Sequence, residues 1–312
     1  MPSGVRGRHS TRAHYVSTSA LLAVIGGCVV VIVAVLVSRG PGIPPPAPGA
    51  ASQSPSAVTS SRPAGARQDP LGTAAISYLS TRAGTVLAAV YDIGTGQTWR
   101  LGQGQPQYEA SVVKLDVLET LLAERESDRA ALSASDLLLT QQMIEDSNND
   151  AATSLWYEVG GPAKIRSFNT AAGLADTSPS SCVDCPGFPW PGWGLSTTTP
   201  TDQLALLRKL IEPSALLTSA ERGYALSLME NVTPSQRWGV SGGVPPQVTV
   251  ALKNGWLPLN GSDTDWQINS VGWISGQGRD YLMAVLTTGN PTEQYGIDTI
   301  DQLAAIVWKD MS

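Results

Sequence analysis

An uncharged apolar run of eighteen residues, Ala20–Val37 (ALLAVIGGCVVVIVAVLV), divides this chain before anything else is considered. A helix of about that length crosses the hydrocarbon core of a bilayer. Arg6, Arg8 and Arg12 precede it, and no acidic residue occurs before Asp69. That charge bias holds the N-terminus in the cytoplasm and sends the remainder outside. The run therefore predicts a single-pass anchor at residues 20–37 behind a basic cytoplasmic tail at residues 1–19. A cleaved signal peptide has a shorter apolar core and a small-residue cleavage site. This run instead ends at Ser38 and Arg39 without an A-x-A pattern. Residues Ile25 to Cys28 have the form of a lipoprotein cleavage box, yet VVVIVAVLV follows the cysteine where a mature lipoprotein turns polar. The uncleaved anchor is the preferred reading.

Residues 38–67 include GPGIPPPAPGAASQSPSA. Such a Pro/Ala/Ser-rich segment buries too little apolar surface to offset its ordering entropy, and it reads as an extended tether. Residues 68–312 then form one domain. The net charge of −6 gives no electrostatic footprint for nucleic acid.

Histidine usage narrows the chemistry. The two histidines, His9 and His14, both precede the apolar run. The outer domain can build neither a Ser-His-Asp triad nor a histidine-ligated zinc site. Cys182 and Cys185 form one C-x-x-C pair in a Pro/Gly/Ser-rich stretch. One pair is too few for a four-cysteine zinc site. In an oxidising compartment the pair reads first as a small-loop disulfide, and a redox-active role is the weaker alternative.

Patterning gives the domain an α/β character. Two apolar runs around the Gly-rich turn of TVLAAVYDIGTGQTWRL, residues 85–101, predict a hairpin. VVKLDVLETLLAERE and DQLALLRKLIEP read as amphipathic helices, the second with a start signal at Thr199 and Pro200. Strands return at VTVALKNGWL, WQINSVGWIS and DYLMAVLTTG, and a last helix is expected near Gly296–Lys309. Strands at both ends with helices between predict one antiparallel sheet flanked by helices, plus an inserted all-helical lobe.

Three short motifs carry chemistry. Ser111 and Lys114, in Ser-Val-Val-Lys, stand i and i+3 at a helix start, which puts a hydroxyl beside an amine. A lysine with a pKa lowered by burial can serve as the base that serine needs. Alone, the motif equally describes a capping serine and a solvated lysine. Ser147-Asn148-Asn149 reads either as a helix cap or as a proton relay with an amide for a substrate. Lys253-Asn254-Gly255 reads either as an Asn-Gly hairpin turn or as a strand edge facing a ligand.

In this order the three motifs match the set found in class A β-lactamases and penicillin-binding proteins. The resemblance extends along residues 70–310, through SVVKLDVLETLL, SNNDAATSLW with GGPAKIRSF, STTTPTDQLALLRKL, QINSVGWI and YLMAVLTTG. It implies a bacterial, extracytoplasmic serine hydrolase without cofactor or metal, acting as a monomer on a small molecule or a peptidoglycan stem. By that resemblance Ser111 is acylated, Lys114 is its base and Ser147 passes a proton to the leaving nitrogen. Asn149, Lys253, Asn254, Gly255 and Trp256 would line the substrate, with Lys253 holding a carboxylate. The backbone N–H groups of Ser111 and Trp256 would form the oxyanion hole.

The chain departs from the family at one informative place. The omega loop of class A enzymes carries a glutamate that activates the deacylating water. Here DTSPSSCVDCPGFPWPGWGLSTTTP offers Asp176 and Asp184 but no glutamate, and Ser196 stands where the family has an acid. Asn148, Asn254 and Trp256 are further departures. Acylation with slow deacylation is the expectation. The alternative is a non-catalytic envelope protein that keeps the fold to bind peptidoglycan or a partner.

Overall fold

A computed structural model describes residues 67–102, 104–259 and 264–312. The expected tail, anchor and nearly all of the tether lie outside the described residues. Among the described residues no helix is long and apolar enough to cross a membrane.

The chain opens with helix α1 (Thr73–Leu79), then strands β1 (Thr85–Asp92), β2 (Thr98–Leu101) and β3 (Gln107–Tyr108). A 3-10 turn at Ala110–Val112 leads into α2 (Val113–Ser127). Helices α3 (Ala134–Glu145), α4 (Asn149–Glu158) and α5 (Gly161–Ala172) follow. A long loop ends at β4 (Thr197–Thr198), and α6 (Pro200–Ile211) and α7 (Ser219–Glu230) come next. Strands β5 (Thr249–Pro258), β6 (Trp266–Gly276) and β7 (Arg279–Asn290) precede the last helix, α8 (Glu293–Asp310).

The main sheet has five strands in the order β2-β1-β7-β6-β5, and every pairing is antiparallel. Strands from both chain ends build it, with the helices of residues 113–230 inserted between them. The predicted hairpin of residues 85–101 forms, with Ala88 opposite Leu101 and Tyr91 opposite Thr98.

Both faces of the sheet are covered, which is why β1 and β7 read as near-continuous apolar runs. Ala89, Tyr91, Ala251, Val271, Leu282 and Ala284 pack against the helical lobe. Their neighbours Ala88, Val90, Val250, Leu252, Met283 and Val285 pack with residues of α1 and α8. The alternation follows from the period of two in a strand.

Helix α2 differs from its amphipathic expectation. Val113 to Leu122 are all buried, including Lys114, Asp116, Glu119 and Thr120. A helix covered on every side lies in the middle of a fold, not at its surface. Its polar residues therefore sit in the interior. The predicted start of α6 holds: Pro200 is its first residue, and the Thr199 side chain accepts from the Asp202 backbone N–H.

Candidate active site

The site is built where β5, the Ala110–Val112 turn and the α3–α4 junction meet. Ala110 has φ of 49°, an uncommon conformation for a non-glycine residue. It turns the chain sharply, leaving Ser111 half-buried at the head of α2. Ser147, between α3 and α4, has φ of 55°. Backbone strain of this kind concentrates at functional sites.

Gly255 lies inside β5, paired with Asn269, so Lys253-Asn254-Gly255 is strand and not a hairpin turn. A Cβ at Gly255 would stand 2.7 Å from the Ser111 nitrogen and 2.9 Å from both the Glu109 oxygen and the Val112 nitrogen. All three are backbone atoms. The missing side chain lets the strand pass against the turn that carries Ser111.

Two amines converge on one hydroxyl. The Lys114 Nζ lies 2.6 Å from the Ser147 carbonyl oxygen, 2.7 Å from Asn149 Oδ1 and 3.1 Å from Ser147 Oγ. The Lys253 Nζ lies 3.0 Å from the same Oγ and 2.9 Å from the Asn254 carbonyl oxygen. Both lysines are fully buried, and among the described residues neither has a carboxylate partner. Burial, reinforced by the charge of Lys253, pushes the Lys114 amine well below the ordinary lysine range. Burial brings Lys253 down to about 7.

The structure thus brings Ser111, Lys114, Ser147, Asn149, Lys253 and Gly255 into one neighbourhood. Asn148 caps α4, its side chain accepting from the Ala151 N–H, while Ser147 and Asn149 on either side face Lys114. Asn254 requires a correction. Its side chain is buried, and its amide donates to the Gln236 and Trp238 carbonyls. It anchors the segment before β5 and presents nothing to a substrate. Lys253 is equally inaccessible and reaches the site through Ser147.

The long loop of residues 176–196 forms the opposite wall. Its ends are tied by the Ser178–Thr197 bridge and by β3 pairing with β4. Ser196 closes the loop with three hydrogen bonds. Its Oγ donates to the Trp193 carbonyl and accepts from the Ser180 N–H, and its carbonyl accepts from the Glu109 N–H. Cys182 and Cys185 form the expected disulfide. Gly192 packs on it: a Cβ there would stand 2.3 Å from Cys185 Sγ.

Sequence reasoning missed what this loop places over Lys114. The Trp193 ring centroid lies 5.0 Å from its Nζ. Together with Phe188, Trp190, Trp256 and Trp266, Trp193 walls a cleft of about 240 Å³ that also touches Ser111 and Asn149. Neither Asp176 nor Asp184 lines it. The density of tryptophan and proline in the loop was the available signal.

A second feature escaped the sequence reading. Glu109, Asp116 and Glu119 are buried, and among the described residues Glu109 and Glu119 have no hydrogen-bond partner for either carboxyl oxygen. Burial first, then neighbouring acids, raises the pKa of Glu109 and Glu119 well above the carboxylate range. Asp116, which accepts from Asn169 Nδ2 at 2.8 Å, is raised to about 7 by burial. Burial thus favours the neutral form of all three acids.

A family model described as "Beta-lactamase enzyme family" matches residues 124–311, a span that begins after Ser111 and Lys114. A curated relative, "Putative lipoprotein LppW" of Mycobacterium tuberculosis, is 29% identical over 207 residues, covering 64% of this chain and 62% of the relative. The same protein of Mycobacterium bovis matches equally. The chain thus spans less than two thirds of the length of these relatives. Among solved structures, the TLA-1 extended-spectrum β-lactamase superposes with a TM-score of 0.70 at 18% identity, covering 78% of this chain and 98% of that one. PBP-A gives 0.63 at 18% identity, covering 75% and 92%. A class A β-lactamase from Mycobacterium abscessus gives 0.61 at 23% identity, covering 75% and 96%. Likeness at these identities establishes the fold, and function has to be argued from the site.

Proposed function

The chain belongs to the β-lactamase enzyme family, and from that membership we propose that it is a serine hydrolase whose Ser111 is acylated readily and released slowly. The observation that carries the reading is the Ser147 hydroxyl, shared by two buried amines that lack a carboxylate partner among the described residues.

Protonating both amines would place two charges around one oxygen in a dry setting, which is costly. Lys114, whose pKa is lowered by burial and by the charge of Lys253, is the one that gives up its proton. A neutral Lys114 has two N–H bonds and a lone pair. The N–H bonds suit the Ser147 carbonyl and Asn149 Oδ1, which leaves the lone pair for a hydroxyl proton. Ser111 Oγ attacks the carbonyl carbon of a β-lactam or an acyl-D-Ala-type amide, and its proton passes to Lys114. The C–N bond breaks, Ser147 gives its proton to the leaving nitrogen, and Lys114 restores it. The Ser111 and Trp256 backbone N–H groups receive the developing oxyanion. The Asn149 NH₂ would donate to the donor's amide, and charged Lys253 would polarise Ser147.

Hydrolysis of the ester needs a base on water. The Trp193 ring stands over the Lys114 amine. Neither Asp176 nor Asp184 lines the cleft, and burial favours the neutral form of Glu109 and Glu119. Absence of a general base costs about 10²–10⁴ in rate.

The relative's name as a lipoprotein supports placement at the bacterial cell envelope. We assign anchoring to residues 20–37, with the domain outside. A non-catalytic binding role is the second reading, favoured by a family match that starts beyond the first motif. Labelling with a fluorescent penicillin separates the two. Acylation predicts a covalent label that Ser111→Ala abolishes and Lys114→Ala slows by about 10²–10⁴. Folded, unlabelled wild-type protein would support the binding role.

A further inference from the structure

We propose that the acyl donor of this site carries an uncharged aromatic or branched-alkyl substituent on the part that is transferred, seated in the cleft walled by Phe188, Trp190, Trp193, Trp256 and Trp266. The proposal rests on the acylation of Ser111 and adds the chemical class of what is transferred.

Three observations lead to it. The cleft of about 240 Å³ opens on Ser111 itself, so a group placed there lies beside the reacting carbonyl. Of its twelve lining residues none is charged, and five are large aromatic rings. Phe188, Trp190, Trp256 and Trp266 remain half-exposed. Such a concentration of accessible apolar rings marks a binding surface more than it marks a core.

The walls are also set in advance. Trp190 Nε1 donates to Asp150 Oδ1 at 3.3 Å, and Trp193 Nε1 donates to Thr153 Oγ1 at 3.2 Å. Both indole N–H groups are thereby tied back to α4, and their ring centroids stand 6.3 Å apart. The rings need no reordering to receive an apolar group, which lowers the entropy cost of binding.

The same lining argues against an anionic acyl group. Lys114 and Lys253 are buried and do not line the cleft. Arg237, beside the Asn254-anchored segment, donates its guanidinium to the Glu230 carbonyl. A carboxylate entering the cleft would lose water without gaining a cation. A stem peptide whose acyl residue bears a charged side chain is disfavoured on the same ground.

Three donors that share a penicillin nucleus test this. Benzylpenicillin carries a phenylacetyl group, 6-aminopenicillanic acid carries none, and α-carboxybenzylpenicillin adds a carboxylate beside the ring. Second-order acylation rates of the full chain are read from intact mass. Benzylpenicillin is expected to exceed each of the others by about tenfold or more. Phe188→Ala and Trp190→Ala, each checked for an unchanged melting transition, are expected to shrink that ratio. Equal rates for the three donors on wild-type protein, or a faster carboxylated donor, would overturn the cleft assignment and leave Ser111 acylation standing. No adduct from any donor on folded protein would overturn the acylation and this proposal together. The wild-type series decides the matter even where a variant fails to fold.

Discussion

At the scale of single residues, two positions link fold to chemistry. Gly255 is required because strand and nucleophile turn pass backbone to backbone. Gly255→Ala would press a methyl group onto the Ser111 nitrogen at 2.7 Å. We expect about 1–3 kcal/mol of lost stability and a larger loss of acylation, read from denaturant melts beside penicillin labelling. Asp116 is the second. Its pKa is 3.8 without the fold and about 7 within it, so the folded chain retains a proton that the unfolded chain gives up between those values. The associated stability is complete below pH 3.8 and is lost as pH rises through about 7. Asp116→Asn keeps an oxygen to accept from Asn169 and removes this loss. The variant should match wild type near pH 4 and exceed it by about 1–4 kcal/mol at pH 8. An unchanged difference across that range would contradict the assignment. Sequence spacing hid this residue, because Asp116 and Glu119 look like the polar face of an amphipathic helix until both sides of the helix are seen to be covered.

At the scale of elements, the long loop between α5 and α6 decides what the site can do. The absence of a glutamate in it was legible in the sequence. What replaces that glutamate was not, because Ser178, Thr197, Tyr108 and Glu109 meet only through tertiary pairing. Ser196 closes the loop through a hydroxyl that serves Ser180 and Trp193 at once. Ser196→Ala would orphan the Ser180 N–H and remove one of the two hydrogen bonds to the Trp193 carbonyl, at about 1–3 kcal/mol. Trp193 fluorescence should broaden and loop cleavage by protease should accelerate. Intrinsic emission and cleavage rates identical to wild type would show that the pairing with β3 alone fixes the loop. Elements whose local pattern agrees with their burial were readable, as in the continuous apolar run of β1 and the helical spacing of α8. The side-chain direction of Asn254 was not. In a strand, alternation puts neighbours on opposite faces, and Lys253 already takes the face toward Ser147.

At the scale of the whole molecule, both ends of the described chain close one sheet around an inserted lobe. Arg67 pairs with Asp92 at 2.8 Å and donates to the Met311 carbonyl, which joins the start of the described residues to the end. A chain beginning at residue 61 keeps that junction. It should fold and acylate like the full chain, whereas one beginning after Arg67 should melt lower by a margin that calorimetry resolves. The order of the three motifs made the architecture legible from sequence, since each is a landmark for a different element. The central claim joins readiness to acylate with slowness to release. Its most direct test is a benzylpenicillin pulse followed by removal of free drug, with intact mass read over time. The account predicts a single adduct that maps to Ser111, is absent in Ser111→Ala and persists long after the pulse. Folded protein that never gains the adduct, or that sheds it within each turnover, would contradict it.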